Sequence, residues 1–175
     1  MIDKKIHNAI REIPDFPKKG INFKDITSLL LDSNLTNEII DEFIIRIDKL
    51  SIDAIVGIES RGFLFGFLLA NRMNIPFIPI RKSGKLPGDT VKISYDLEYG
   101  SASIEIHKSD ILDGWNILIH DDLLATGGTA IASAKLIEML NAKVAGFTFV
   151  INLSSLNGEK KLKYYSDNVI SLKTY

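Results

Sequence analysis

Two adjacent carboxylates, Asp121 and Asp122, precede a run of small residues, Ala125-Thr126-Gly127-Gly128-Thr129, from which Leu123 and Leu124 separate them. Small side chains and permissive backbone let consecutive N–H groups point into one concavity where a helix begins, which makes this run an anion cradle. Carboxylates beside a bound phosphate repel it, so the acid pair must serve another part of the ligand, either vicinal hydroxyls or a metal. A sugar phosphate satisfies both halves. The loop lacks the lysine of GxxxxGK[ST] and does not follow GxGxxG, so nucleoside-triphosphate and dinucleotide readings are poor. A plain strand-turn-helix connection would leave the two neighbouring acids unexplained.

Cationic groups occur in two further places. Glu59-Ser60-Arg61-Gly62 leads from a strand end into a helix and sets Arg61 beside a helix N-terminus, so two positive features converge. Arg81, Lys82 and Lys85 lie in RKSGK, which by itself reads as a solvated loop. Glu98 by itself reads as a solvated hairpin residue, and His120 as the last residue of a strand, facing a polar layer.

The elements that must hold these groups follow from periodicity. Ile2, Ile6, Ala9, Ile10 and Ile13 recur at helical spacing until Pro14 stops the helix, leaving a loop over residues 15–20. A second helix is expected over residues 35–50, with Leu35, Ile39, Phe43, Ile47 and Leu50 on one stripe and Ser33 or Asn34 as its cap. The rhythm then becomes strand and helix in alternation: AIVGI, a buried helix over Gly62–Met73, and FIPI. A polar stretch over residues 81–89 leads into two alternating runs, residues 91–97 and 103–107, read as a protruding hairpin. A strand over residues 115–119 places the acid pair exposed at its carboxyl end. A helix over 129–140, a strand over 144–151 and an edge strand over 169–172 follow. The expected product is a doubly wound α/β domain of about five parallel strands, with ligands gathered where strands end and helices begin.

The chain of 175 residues, 46% hydrophobic, suits one domain with a sizeable core. With 21 basic against 22 acidic side chains, no broad electrostatic footprint for nucleic acid or an anionic membrane is present. Cysteine is absent, which removes disulfides, thiolate zinc sites and cysteine nucleophiles. The opening MIDKKIHNAI is not a signal peptide and no segment approaches a membrane span, so a cytoplasmic protein is expected.

With an apolar strand before it, DDLLATGGT resembles the phosphoribosyl pyrophosphate (PRPP) signature of type I phosphoribosyltransferases. FPKKGINFKDIT, GIESRGFLFG, IPIRKSGKLPG, YDLEYG and INLSSLNGEKKL extend the resemblance nearly end to end to the adenine phosphoribosyltransferase family. It implies a twisted parallel sheet flanked by helices, an N-terminal helix and purine hood over residues 1–34, and a flexible catalytic hairpin over residues 82–108. Asp121 and Asp122 would hold the ribose hydroxyls. Backbone amides of Ala125, Thr126, Gly127, Gly128 and Thr129, with both threonine hydroxyls, would hold the 5′-phosphate.

Ser60, Arg61, Arg81, Lys82 and Lys85 would bind pyrophosphate, some of them across a homodimer, and the Glu59–Ser60 peptide would be cis. Phe23 would stack on adenine while main-chain groups of Asn22 and Lys24 read its edge, which offers one donor and one acceptor. The family often has arginine at the Lys24 position and an apolar residue at the His120 position. Leu153 would wall the base pocket, with ordinary core packing an equal reading. Glu98 would be the acid/base near purine N7, and Tyr99 would close over the substrates. The implied reaction joins adenine to PRPP, giving AMP and pyrophosphate, with Mg2+ held mainly by the substrate. Transfer to another purine, or a sensor that only binds the donor, are the rival readings.

Overall fold

In a computed structural model, which describes residues 1–96 and 100–175, the chain forms a seven-stranded sheet with helices on both faces and a separate two-stranded sheet. In chain order the elements are α1 (Ile2–Ala9), β1 (Arg11–Ile13), β2 (Phe23–Asp25), α2 (Ser33–Ile47), β3 (Ala54–Ile58), α3 (Gly62–Met73) and β4 (Phe77–Lys82). They continue with β5 (Thr90–Asp96), β6 (Ser101–His107), β7 (Asn116–Leu124), α4 (Gly128–Met139), β8 (Lys143–Asn152), α5 (Gly158–Leu162) and β9 (Val169–Thr174).

The large sheet runs β5-β6-β4-β3-β7-β8-β9, and β4, β3, β7, β8 and β9 are its parallel strands. From β3 the chain winds outward to β4, then returns to β7 on the other side and winds outward again through β8 and β9. The winding reverses between β3 and β7, and a crevice opens beyond the carboxyl ends of strands at such a reversal. The segment after β3 carries Glu59, Ser60 and Arg61. The end of β7 carries the acid pair.

Alternation along the strands divides the core in two. Ala54, Val56, Ile117, Ile119, Phe147 and Phe149 pack with α4 on one face, while Ile55, Leu118, Phe43, Phe65 and Leu69 pack on the face covered by α2 and α3. Gly62 permits close helix-on-strand contact, since a Cβ there would stand 2.8 Å from the His120 carbonyl oxygen.

Several boundaries differ from the sequence reading. The first helix ends at Ala9: Ile10 is already extended, and Ile13 lies in β1, paired with Phe23 of β2. Three residues are too few for their own period to reveal the switch, and it is the pairing with β2 that makes them a strand. Asp32 caps α2, accepting from the amides of Asn34 and Leu35 at 2.9 and 3.1 Å, so the helix starts at Ser33. β7 does not stop at Ile119. Its ladder with β8 continues through Asp121↔Phe149 and Leu124↔Asn152 and carries the strand past both acids. The hairpin of β5 and β6 is rooted in the large sheet, because Arg81↔Glu105 and Lys82↔Ile104 pair β4 with β6 and make its base an antiparallel extension of the sheet.

Candidate active site

Because β7 runs on to Leu124, the acid pair belongs to a strand and is largely buried rather than exposed, with Asp122 at 3% relative exposure. Asp121 Oδ1 accepts the backbone N–H of Asp122 at 2.9 Å. Burial, and then the charge of Asp122, hold the Asp121 carboxyl well above the usual range. Burial also raises Asp122, against the pull of the Arg61 guanidinium, whose Nε lies 2.8 Å from Asp122 Oδ2. An ionised carboxylate only accepts and a neutral one can also donate, so a neighbouring pair that shares a proton can meet two hydroxyls, which both donate and accept.

Beyond β7 the chain turns through Ala125 and Thr126 to Gly127, whose φ of 82° is the left-handed conformation that glycine adopts without penalty, and α4 starts at Gly128. Residues 123–130, with Asp121 and Phe149, enclose a hollow of about 90 Å³. A larger cleft of about 1020 Å³ adjoins it, shared by Gly20 and Ile21 from the loop before β2, Asp96 at the end of β5, Ala125, Thr126, Gly128 and Thr129 of the small-residue run, and Ser155, Leu156 and Lys161. Lys161 Nζ donates to the Thr126 carbonyl at 3.2 Å, and Tyr95 Oη lies 3.1 Å from Thr129 Oγ1.

The cationic residues gather at the ends of β3 and β4. The Glu59–Ser60 peptide is cis. Arg61 extends between Asp122 and the Phe23 ring, with its guanidinium carbon 5.4 Å from the ring centroid. Arg81 donates to both carboxylate oxygens of Glu59 at 3.3 and 3.4 Å, and the Lys82 amide donates to Glu59 at 2.8 Å. Burial tends to raise Glu59, but these bonds outweigh it and leave its pKa lowered. Buried Glu105 accepts the amides of Lys85 and Leu86, each at 2.9 Å, which fixes the turn carrying Lys85. The two glutamates thus shape the cationic loop. Neither was foreseen, since their partners lie about twenty residues away in sequence.

In the small sheet, Asn22 Nδ2 donates to Glu12 at 2.8 Å, and Lys24 pairs with the same carboxylate while lying 4.5 Å from the Tyr175 ring centroid. Both side chains are thus held by the Glu12 carboxylate. Phe23 meets Phe16 edge-on at 5.2 Å. Leu153 is pinned by its amide to the Leu124 carbonyl at 2.9 Å and packs against the core on the α2 and α3 side.

His120 does not face a polar layer. It is fully buried in mid-strand, edge-on to Phe43 at 5.5 Å, with Nδ1 3.0 Å from Thr148 Oγ1 and, among the described residues, no partner for Nε2. Burial lowers its pKa to about 3. Glu98 and Tyr99 lie outside the described residues. Gly158 and Tyr95 went unnoticed in sequence although both fall within the motif blocks.

Comparison with known proteins agrees with this geometry. The phosphoribosyl transferase domain family matches residues 28–173. The adenine phosphoribosyltransferase of Clostridium perfringens (strain SM101 / Type A) is 50% identical over 170 residues, which cover 97% of this chain and 98% of that protein. The crystal structure of the Thermoanaerobacter pseudethanolicus adenine phosphoribosyltransferase superposes with a TM-score of 0.95 at 48% identity over the whole of both chains. The Saccharomyces cerevisiae adenine phosphoribosyltransferase, complexed with D-DIAB and adenine, does so with a TM-score of 0.91 at 40% identity over 98% of each. The domain match over most of the chain, half-identity to a relative along nearly the whole of both proteins and a superposition that covers both chains converge: the chain belongs to the adenine phosphoribosyltransferase family.

Proposed function

We propose that the protein transfers the 5-phosphoribosyl group from PRPP to adenine, giving AMP and pyrophosphate in purine salvage. The observation that carries this reading is the single cleft onto which the loop before β2, the cradle of residues 125–129 and the end of β5 all open. A base, a 5′-phosphate and a closing hairpin then meet around one sugar, and holding reactants in such register accounts for much of the acceleration of a group transfer.

Each end of the donor has a set of residues. Amides of residues 125–129 and the hydroxyls of Thr126 and Thr129 take the 5′-phosphate. Asp121 and Asp122 take the ribose hydroxyls, and Arg61 leaves Asp122 for the pyrophosphate, joined there by Ser60, Arg81, Lys82 and Lys85. Phe23 stacks on the purine once Arg61 has withdrawn from its ring, main-chain groups of Asn22 and Lys24 read the adenine edge, and Leu153 forms a wall. Glu98 accepts the N7 proton as the bond to N9 forms and returns it in reverse, with Tyr99 closing the site against water.

A magnesium ion fits as a companion of the donor. Its ligands would be pyrophosphate and ribose oxygens of the donor, hard oxygen groups of the kind magnesium takes from substrate phosphates. When bound it would neutralise the leaving group. A homodimer is supported by the stripe of Leu64, Phe67 and Leu68 on α3, where Phe67 is 55% exposed and apolar surface awaits cover. A cytoplasmic location follows from the donor, whose several charges do not cross a bilayer unaided.

The test is pyrophosphate release from PRPP with adenine, guanine, hypoxanthine and xanthine offered in parallel. Release with adenine alone is expected. Preference for another base would replace the acceptor, and release with none would leave a donor-binding sensor.

A further inference from the structure

Tyr95 sits near the end of β5, with its ring packed against the core and its hydroxyl 3.1 Å from Thr129 Oγ1. Its Cδ2 and the Asp96 carbonyl oxygen both lie 3.9 Å from where a Cβ on Gly128 would stand, so the end of this strand rests on the start of α4. The Thr129 carbonyl is held in turn by the Ser133 hydroxyl at 2.9 Å.

We propose that Tyr95 is a positioning residue that aims the Thr129 hydroxyl at the 5′-phosphate through a relay of two hydroxyls, a proposal that rests on reading residues 125–129 as the 5′-phosphate cradle. Each hydroxyl has one proton to give and lone pairs to receive. When Tyr95 donates to Thr129 Oγ1, the Thr129 proton is left to point at a phosphate oxygen, and each bond polarises the other. A phosphate only accepts, so its arrival selects this direction.

The 5′-phosphate is common to PRPP and AMP and absent from adenine and pyrophosphate, so the relay has its own kinetic signature. Tyr95→Phe keeps the ring and removes the hydroxyl. KM for PRPP, and for AMP in the reverse reaction, should rise roughly three- to tenfold, while KM for adenine and for pyrophosphate stays within about twofold. Thr129→Val tests the cradle by itself, and the double variant should lose less than the product of the two single losses, because both remove one relay. If Thr129→Val raises both constants but Tyr95→Phe does not, or if the losses multiply, the relay is overturned and the cradle stands. If Thr129→Val changes neither constant, the cradle reading fails and the relay with it. Melting curves of the three variants identify any loss that comes from misfolding, and AMP titration of Tyr95→Phe below its melting temperature then decides the outcome.

Discussion

Gly158 lies so close beneath Ala125 that a Cβ on it would stand 2.3 Å from the Ala125 carbonyl oxygen. The approach is mutual, since a Cβ on Gly127 would meet the Gly158 carbonyl oxygen at 3.3 Å. The first residue of α5 is thus the floor on which the cradle rests.

Gly158→Ala should therefore displace the backbone of residues 125–127. A shift near 1 Å at a positioned phosphate costs up to about 100-fold. The expected outcome is a loss of PRPP and AMP affinity on the order of 10- to 100-fold with adenine affinity little changed, measured by calorimetric titration of each ligand. Unchanged AMP binding would refute the floor.

Asp121→Asn should separate stability from activity. The folded-state pKa of Asp121 is raised, by burial and by Asp122, so its ionised form costs stability above the ordinary carboxyl range, in full once the pH exceeds the raised value. Asparagine removes that cost and can still accept the Asp122 amide. A melting temperature a few degrees higher at about pH 8 is expected, with the gain fading towards about pH 4, together with weaker PRPP binding. A variant that melts lower at every pH would contradict the sign.

His120→Leu should flatten the acid side of the stability curve. The histidine pKa falls from 6.5 to about 3 on folding, so between those values the unfolded chain binds the extra proton and native stability drops as pH falls. Leucine cannot titrate. Urea midpoints of parent and variant should diverge progressively below about pH 6.5, and parallel curves would show that the imidazole is not responsible.

Glu98→Gln should lower kcat by roughly 10²- to 10⁴-fold while leaving the dissociation constant for PRPP close to that of the parent. Stopped-flow turnover with adenine, paired with equilibrium binding of the donor, checks both halves. Full turnover would remove Glu98 from proton transfer.

What could be read from sequence was whatever a short window contains. α3 matches its expected span of Gly62–Met73, and β3 its run AIVGI, because each has its own apolar pattern and boundary residues. The cradle was legible for the same reason, its small residues standing together. The burial of Asp121 and Asp122 was not. It depends on β8 running alongside and on Arg61 arriving from the end of neighbouring β3, and neither lies within the motif. Glu105 illustrates the limit further. It occupies an ordinary strand position between Ile104 and Ile106, and its role comes from amides at Lys85 and Leu86 that only the β4–β6 pairing brings within reach. The misplaced His120 has the same origin, since taking β7 to end at Ile119 turned an interior side chain outward.

β1 and β2 form a sheet of their own, apart from the seven strands that carry the donor cradle and the acid pair. The ladder of the larger sheet does not depend on them. Under the proposed roles, substitutions between α1 and α2 would therefore change how the base is held without disturbing the ladder that positions the cradle and the acid pair.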